Sequence, residues 1–165
     1  MFVKPYKYFK QATDVSAQYL KSINVSGLIL DVDNTLTLKK GSIIIDGVLN
    51  WLRSLENEGI KLIILSNAKP ERMEKVSKKL GLGFVGYGLK PLPFGYFKSA
   101  EKMGVKPENC AIIGDQLFTD ILGGNLAGIK TILVSPKETE TSFAFKIKRR
   151  LERIFLKKYN INNTQ

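Results

Sequence analysis

Two aspartates at i and i+2, Asp31 and Asp33, follow the apolar run Gly27-Leu28-Ile29-Leu30, and a third, Asp115, follows Cys110-Ala111-Ile112-Ile113-Gly114. Where a strand gives way to a loop, both members of the first pair can face one substrate. Three carboxylates brought together repel unless a hard cation neutralises them, and Mg2+ suits a site of two or three carboxylates, waters and a phosphate oxygen. Ser66 and Asn67, after a further apolar run and at the start of a helix, offer a hydroxyl and backbone N–H groups to an anion. Lys90 supplies a balancing positive charge. A nucleophilic carboxylate, a metal, an anion cradle and a lysine together describe phosphoryl transfer through an aspartyl-phosphate. The chain has no His and a single Cys, so imidazole chemistry, an internal disulfide and a cysteine zinc cluster are all excluded.

The elements that must position these groups are legible in the apolar periodicity, with short buried runs alternating with amphipathic stretches. Strands are predicted at Gly27 to Asp31, Lys61 to Leu65, near Phe84-Val85, at Cys110 to Gly114 and at Lys130 to Val134. Helices are predicted over Asp46 to Glu58, capped by Asp46 and closed by Gly59, and over Pro70 to Leu80, capped by Ser66 or Asn67 and stopped by Gly81. Two more are predicted over Pro93 to Met103 and over Thr119 to Ala127, the last closed by Gly128. Parallel strands joined by helices imply an α/β fold, a doubly wound, mostly parallel sheet with helices on both faces. Ligands bind outside the carboxyl ends of such strands, and the four polar clusters each follow a different strand. Gly81 to Gly86 matches a dinucleotide-binding fingerprint but lies between a helix and a strand, the reverse of the required order. Cys110 and Trp51 read as core residues.

Taken in order, Asp31-Val32-Asp33-Asn34-Thr35-Leu36, Ser66-Asn67 after a hydrophobic run, Lys90-Pro91, and Gly114-Asp115 with Asp120 five residues on resemble the four motifs of the haloacid dehalogenase (HAD) superfamily. Within its subfamily IIIA the chain is similar to the small YqeG-type phosphatases, which are related to phosphatidylglycerophosphate phosphatases of mitochondria and plastids. The likeness covers nearly the whole chain, including Leu89-Lys90-Pro91-Leu92-Pro93 and Gly114-Asp115-Gln116-Leu117-Phe118-Thr119-Asp120. It implies a three-layer Rossmann-like HAD fold and a Mg2+-dependent phosphomonoester hydrolase. It further implies that Asp31 attacks phosphorus, while Asp33 protonates the leaving alkoxide and then activates water. Asp31, the backbone carbonyl of Asp33 and Asp115 would hold Mg2+. Ser66, with Asn67, would bind the phosphoryl oxygens, and Lys90 would steady the nucleophile and the developing charge. Asp120 would orient Lys90 or a metal-bound water, and Thr35 would brace the loop carrying Asp33. Asp31 to Ser66 is 35 residues and Ser66 to Lys90 is 24, which leaves no room for a cap domain. The site should be open, served by a large substrate or by a lid from a neighbouring subunit in an oligomer.

The 165 residues, 44% hydrophobic, are expected to form a single domain, 1–165. No apolar run approaches the roughly 20 residues of a spanning helix. The 26 basic and 15 acidic residues give +11, concentrated at the two ends. Residues 1–10 contribute +3 and residues 141–160 contribute +6, leaving the body close to neutral. Segment 1–12 interleaves Phe2, Tyr6, Tyr8 and Phe9 with lysines. Segment 142–159 reads as a basic amphipathic helix with Phe143, Ile147, Leu151, Ile154, Phe155 and Tyr159 on one side. Both are expected to meet an anionic membrane surface, although the C-terminal stripe could equally pack on the domain. The chain start lacks a secretory pattern, so a cytoplasmic location, peripheral at the inner membrane face, is expected. The expected substrate is phosphatidylglycerophosphate, with a soluble sugar phosphate or nucleotide as the alternative. A nucleic-acid-binding basic domain is the rival of another class, but no RNA-binding signature is present.

Overall fold

The computed structural model describes residues 3–138. Six strands, β1 (Lys7–Phe9), β2 (Gly27–Leu30), β5 (Lys61–Leu65), β6 (Phe84–Val85), β7 (Cys110–Gly114) and β8 (Lys130–Val134), form one sheet in the order β1-β8-β7-β2-β5-β6. Every pairing in it is parallel. Strands buried on both faces must be apolar throughout, and β2 and β7 have no exposed residue. Alternate side chains serve opposite layers. Leu28, Leu30, Ile64, Ala111 and Ile113 pack with helices α1 (Ala17–Ser22), α2 (Val48–Asn57) and α3 (Pro70–Leu80). Ile29, Ile63, Leu65 and Ile112 pack with α4 (Phe94–Met103) and with Ala127, just past α5 (Leu122–Leu126). This is the three-layer α/β arrangement expected, and among the described residues no cap domain is inserted. Between β2 and β5 lie only α2 and a small antiparallel hairpin, β3 (Thr37–Leu38) with β4 (Ile43–Ile44).

Several local expectations need correction. The N-terminal segment 1–12 carries an unforeseen edge strand, β1, and Ser16 caps an equally unforeseen α1 by accepting from the Tyr19 N–H. Gly47, not Asp46, occupies the N-cap of α2, in the left-handed region that favours glycine (φ 79°). Lys69, not Ser66 or Asn67, precedes α3, with Pro70 in its first turn. The helix expected over Thr119 to Ala127 divides into a π-helical turn, Leu117–Ile121, running into α5. There the Gln116 carbonyl accepts from both Asp120 N–H at 3.0 Å and Ile121 N–H at 3.3 Å, a widening of the kind that collects at functional sites. Cys110 and Trp51 are core residues, the indole N–H donating to the Val15 carbonyl at 2.8 Å. The basic amphipathic helix expected over 142–159 lies outside the described residues.

Candidate active site

The carboxyl ends of β2, β5 and β7 and the loop after β6 meet at one edge, because the register aligns Leu30 with Ile64 and Ile113. Just past β2 the chain curls around one acceptor. The Val32 carbonyl takes N–H bonds from Thr35, Leu36 and Thr37, and Asn34 sits in the left-handed region at φ 62°. This curl separates Asp31 from Asp33. Asp31 is buried with its Oδ1 2.5 Å from Lys90 Nζ, while its Oδ2 accepts a longer 3.5 Å bond from the Thr35 hydroxyl. Asp33, half-buried, pairs instead with Arg72 on α3, whose Nε also donates to the Lys40 carbonyl at the tip of the β3–β4 hairpin.

Lys90 sits between two acids, with Asp120 Oδ1 2.7 Å from the same ammonium. Asp120 is completely buried in the π-helical turn, and its Oδ2 accepts from the Gln116 N–H at 3.1 Å. Gly114 makes this possible, since a Cβ there would collide with the Asp120 carboxylate. The loop carrying Lys90 is clamped by Asn67, whose side chain donates to the Lys90 carbonyl at 2.9 Å and accepts from the Lys90 N–H at 2.7 Å. The Asn67 side chain, expected at the phosphate, thus spends one amide proton and its carbonyl on the lysine loop. Ser66 is buried at the end of β5 and accepts from the Ala68 N–H at 3.1 Å.

Asp31, Asp115 and Asp120 are all buried, each with a carboxylate oxygen within 4.8 Å of the others. The carboxylate cluster therefore includes Asp120, while Asp33, expected to reach the metal through its backbone carbonyl, has its side chain paired with Arg72. Three carboxylates against one ammonium leave negative charge uncompensated in a low-dielectric site. An all-oxygen donor set of that sign fits a hard divalent cation. The charge state shows the same imbalance. Burial pushes the Asp31 carboxyl up to about 7; Lys90 opposes the rise, and Asp120 and Asp33 add to it. Burial alone would lower Lys90, but Asp120 and Asp31 more than reverse that and hold it above its ordinary value, so it stays cationic.

Two contributors escaped the sequence reading. Arg72 stands in the first turn of α3, at the carboxyl edge, and its position just after Ser66-Asn67 was a usable signal. Tyr96, fully buried on α4, donates its hydroxyl to the Thr119 carbonyl at 2.8 Å and lies 3.3 Å from that of Asp120, fixing the turn that presents the acid. No spacing could reveal it, because its partners are backbone atoms. A shallow groove lined by Ile60, Lys61, Gly83, Phe84 and Met103 opens at the amino-terminal ends of β5 and β6, away from this chemistry.

Residues 38–128 match the family model of haloacid dehalogenase-like hydrolases. Over 155 residues the chain is 35% identical to a probable phosphatase, YqeG, of Bacillus subtilis, covering 94% of this chain and 90% of that one. It is 26% identical over 169 residues to phosphatidylglycerophosphate phosphatase 1, chloroplastic/mitochondrial, of Arabidopsis thaliana, covering 96% of this chain and 48% of the relative, so it spans about half of that longer protein. In fold it is similar to a 4-nitrophenylphosphatase from Thermotoga maritima, with a TM-score of 0.61 at 16% identity over 79% of this chain and 90% of that one.

Proposed function

The chain belongs to the haloacid dehalogenase-like hydrolases and is a phosphatase, and from that premise we propose that it is a Mg2+-dependent phosphomonoesterase acting on phosphatidylglycerophosphate through a phosphorylated Asp31. The observation that carries the chemistry is the buried Asp31–Lys90–Asp120 chain beside Asp115. Asp31 and Asp115, with the backbone carbonyl of Asp33, would hold the ion. Mg2+ bound there supplies positive charge to offset the carboxylates and to draw in phosphoryl oxygens.

Everything else falls to the chain itself. A carboxylate oxygen of Asp31 bonds to phosphorus as the P–O bond to the alcohol breaks, and the departing alkoxide takes a proton from Asp33. Asp33 then removes a proton from water while the water oxygen bonds to phosphorus, the bond to Asp31 breaks and inorganic phosphate leaves. Ser66, already accepting from Ala68, directs its own hydroxyl proton to a phosphoryl oxygen. Lys90 keeps Asp31 aimed and meets the charge that grows on the equatorial oxygens, while Asp120 and Asn67 keep Lys90 in place.

The lipid substrate rests on the relationship to the plant phosphatidylglycerophosphate phosphatase and on an uncapped site that a large substrate could cover. The test is Mg2+-dependent phosphate release from phosphatidylglycerophosphate in vesicles against a panel of soluble sugar phosphates and nucleotides. Preferential turnover in the vesicles supports the reading. Faster turnover of soluble esters would replace the lipid with a small substrate, and no metal-dependent release from any ester would overturn the phosphomonoesterase itself.

A further inference from the structure

Five large apolar side chains in eleven residues are exposed beside the site: Tyr87, Leu89, Leu92, Phe94 and Phe97, from 45% for Phe97 to 66% for Phe94. They account for most of the exposed large apolar side chains among the described residues, and they bracket Lys90. The chain geometry draws Leu89, Leu92, Phe94 and Phe97 together. The Leu92 N–H donates to the Leu89 carbonyl at 2.8 Å, closing a turn that sets these two residues side by side. Phe94 and Phe97 are spaced i, i+3 on α4 and so share a helix face. Gly95 joins the two parts, since a Cβ there would collide with the Gly88 carbonyl, so the loop lies directly on the first turn of α4.

Soluble proteins do not ordinarily leave such a cluster in water, and charge decides what covers it. The rest of the site's rim is net basic: Lys39 and Lys40 are exposed at the hairpin tip and Lys69 is exposed before α3, against the Glu138 carboxylate beside Lys39, while Arg72 is paired with Asp33. The body of a second copy, residues 11–140, is close to neutral and would gain no attraction from that rim, and residues 141–160, at +6, would be repelled by it. An anionic bilayer would be attracted, its lipid headgroups meeting the lysines while the aromatic and aliphatic side chains enter the interface.

We propose that the loop from Tyr87 to Pro93 and the first turn of α4 form a membrane-docking surface, which seats the open active site face-down on an anionic bilayer so that a lipid phosphate reaches Asp31 without leaving the membrane. The role of the surface in turnover rests on the phosphatase reading; its binding of lipid does not. Docking enters through the same loop that carries Lys90, which links seating on the membrane to placement of a catalytic group.

The experiment uses the full-length chain and a double variant, Leu92→Ser with Phe94→Ser, two exposed residues outside the catalytic set. Co-sedimentation with vesicles of phosphatidylglycerol and phosphatidylcholine, and with phosphatidylcholine alone, reads binding. Hydrolysis of p-nitrophenyl phosphate and the melting temperature read the site and the fold. The expected result is binding to the anionic vesicles that weakens about tenfold or more in the variant, with soluble-ester hydrolysis and melting temperature unchanged. Equal binding by wild type and variant overturns the proposal. So does a lowered melting temperature with unchanged binding, which would mean the chain's own terminal segment covers the patch, or loss of a dimer in the variant, which would mean a second copy does. If the wild type releases no phosphate from p-nitrophenyl phosphate, from phosphatidylglycerophosphate or from other soluble esters while vesicle binding still depends on Leu92 and Phe94, the phosphatase reading fails and the docking surface stands.

Discussion

Asp31 and Asp33, two residues apart, have been given different neighbours: one is locked to the Lys90 ammonium, the other is tied to Arg72 beside the hairpin. Their losses should differ accordingly. General acid–base help is worth roughly 10²–10⁴-fold, so Asp33→Asn should retain measurable turnover, whereas Asp31→Asn, lacking the atom that bonds to phosphorus, should retain none above background; single-turnover phosphate release decides it, and equal residual rates would refute the assignment. Asp31 also sets a pH dependence. With its carboxyl pushed up to about 7 by burial, the metal-free fold binds a proton there that the unfolded chain releases at ordinary carboxylate pH. That contribution to stability is fully present below the unfolded value and is lost as pH rises through about 7. A divalent ion competes with that proton. Added Mg2+ should therefore raise the melting temperature more at pH 8 than at pH 6, and an increment independent of pH would contradict this picture of the site.

At the scale of elements, Asp120 is presented by a turn that depends on two remote residues. Gly114 ends β7 where any side chain would displace the Asp120 carboxylate. Gly114→Ala should cost about 1–3 kcal/mol of stability through overpacking and reduce turnover further by freeing Lys90, which thermal melts and steady-state rates would report together. Tyr96 holds the same turn from α4 through its hydroxyl. Tyr96→Phe keeps the ring but removes this hydrogen bond, at about 0.5–1.5 kcal/mol, since the Thr119 carbonyl still accepts from the Leu122 N–H. Its effect on rate should exceed that of an equally destabilising core change such as Ile29→Val, and equal effects would reduce Tyr96 to a packing residue. The strand ends that carry Asp31, Ser66 and Asp115 were readable in the sequence, because parallel strands announce themselves as apolar runs and direct their carboxyl ends to one edge. β1 was not, since three residues mixing lysine with aromatics carry no clear period, and the strand forms only because β8 offers an unpaired edge.

For the whole molecule, the decisive features are the absence of a cap among the described residues and the uneven charge. Described residues end beside the site, where the Glu138 N–H donates to Asn34 and its carboxylate accepts from the Lys39 N–H. The basic residues of 141–160 follow within a few positions. A chain ending at Glu138 keeps those contacts and should hydrolyse soluble esters at nearly the full rate, while binding anionic vesicles more weakly and with less dependence on salt. Retention of full vesicle affinity by the truncated chain would place all of the membrane contact on the Tyr87–Phe97 surface. No helix among the described residues is long and apolar enough to cross a membrane.

Sequence by itself determined the class of fold and the residue types at the strand ends, because both are written in local periodicity and in short motifs. Which partner each side chain takes was decided only by the tertiary structure. Lys90 meets Asp31 across 59 residues and Asp120 across 30, Arg72 meets Asp33 across 39, and Asn67 clamps the lysine loop across 23. Such choices depend on the curl after β2, the π-helical turn before α5 and the close approach at Gly114, all set by packing between distant segments. Spacing along a chain can bring residues to the same edge; only the fold decides which way each side chain turns once there.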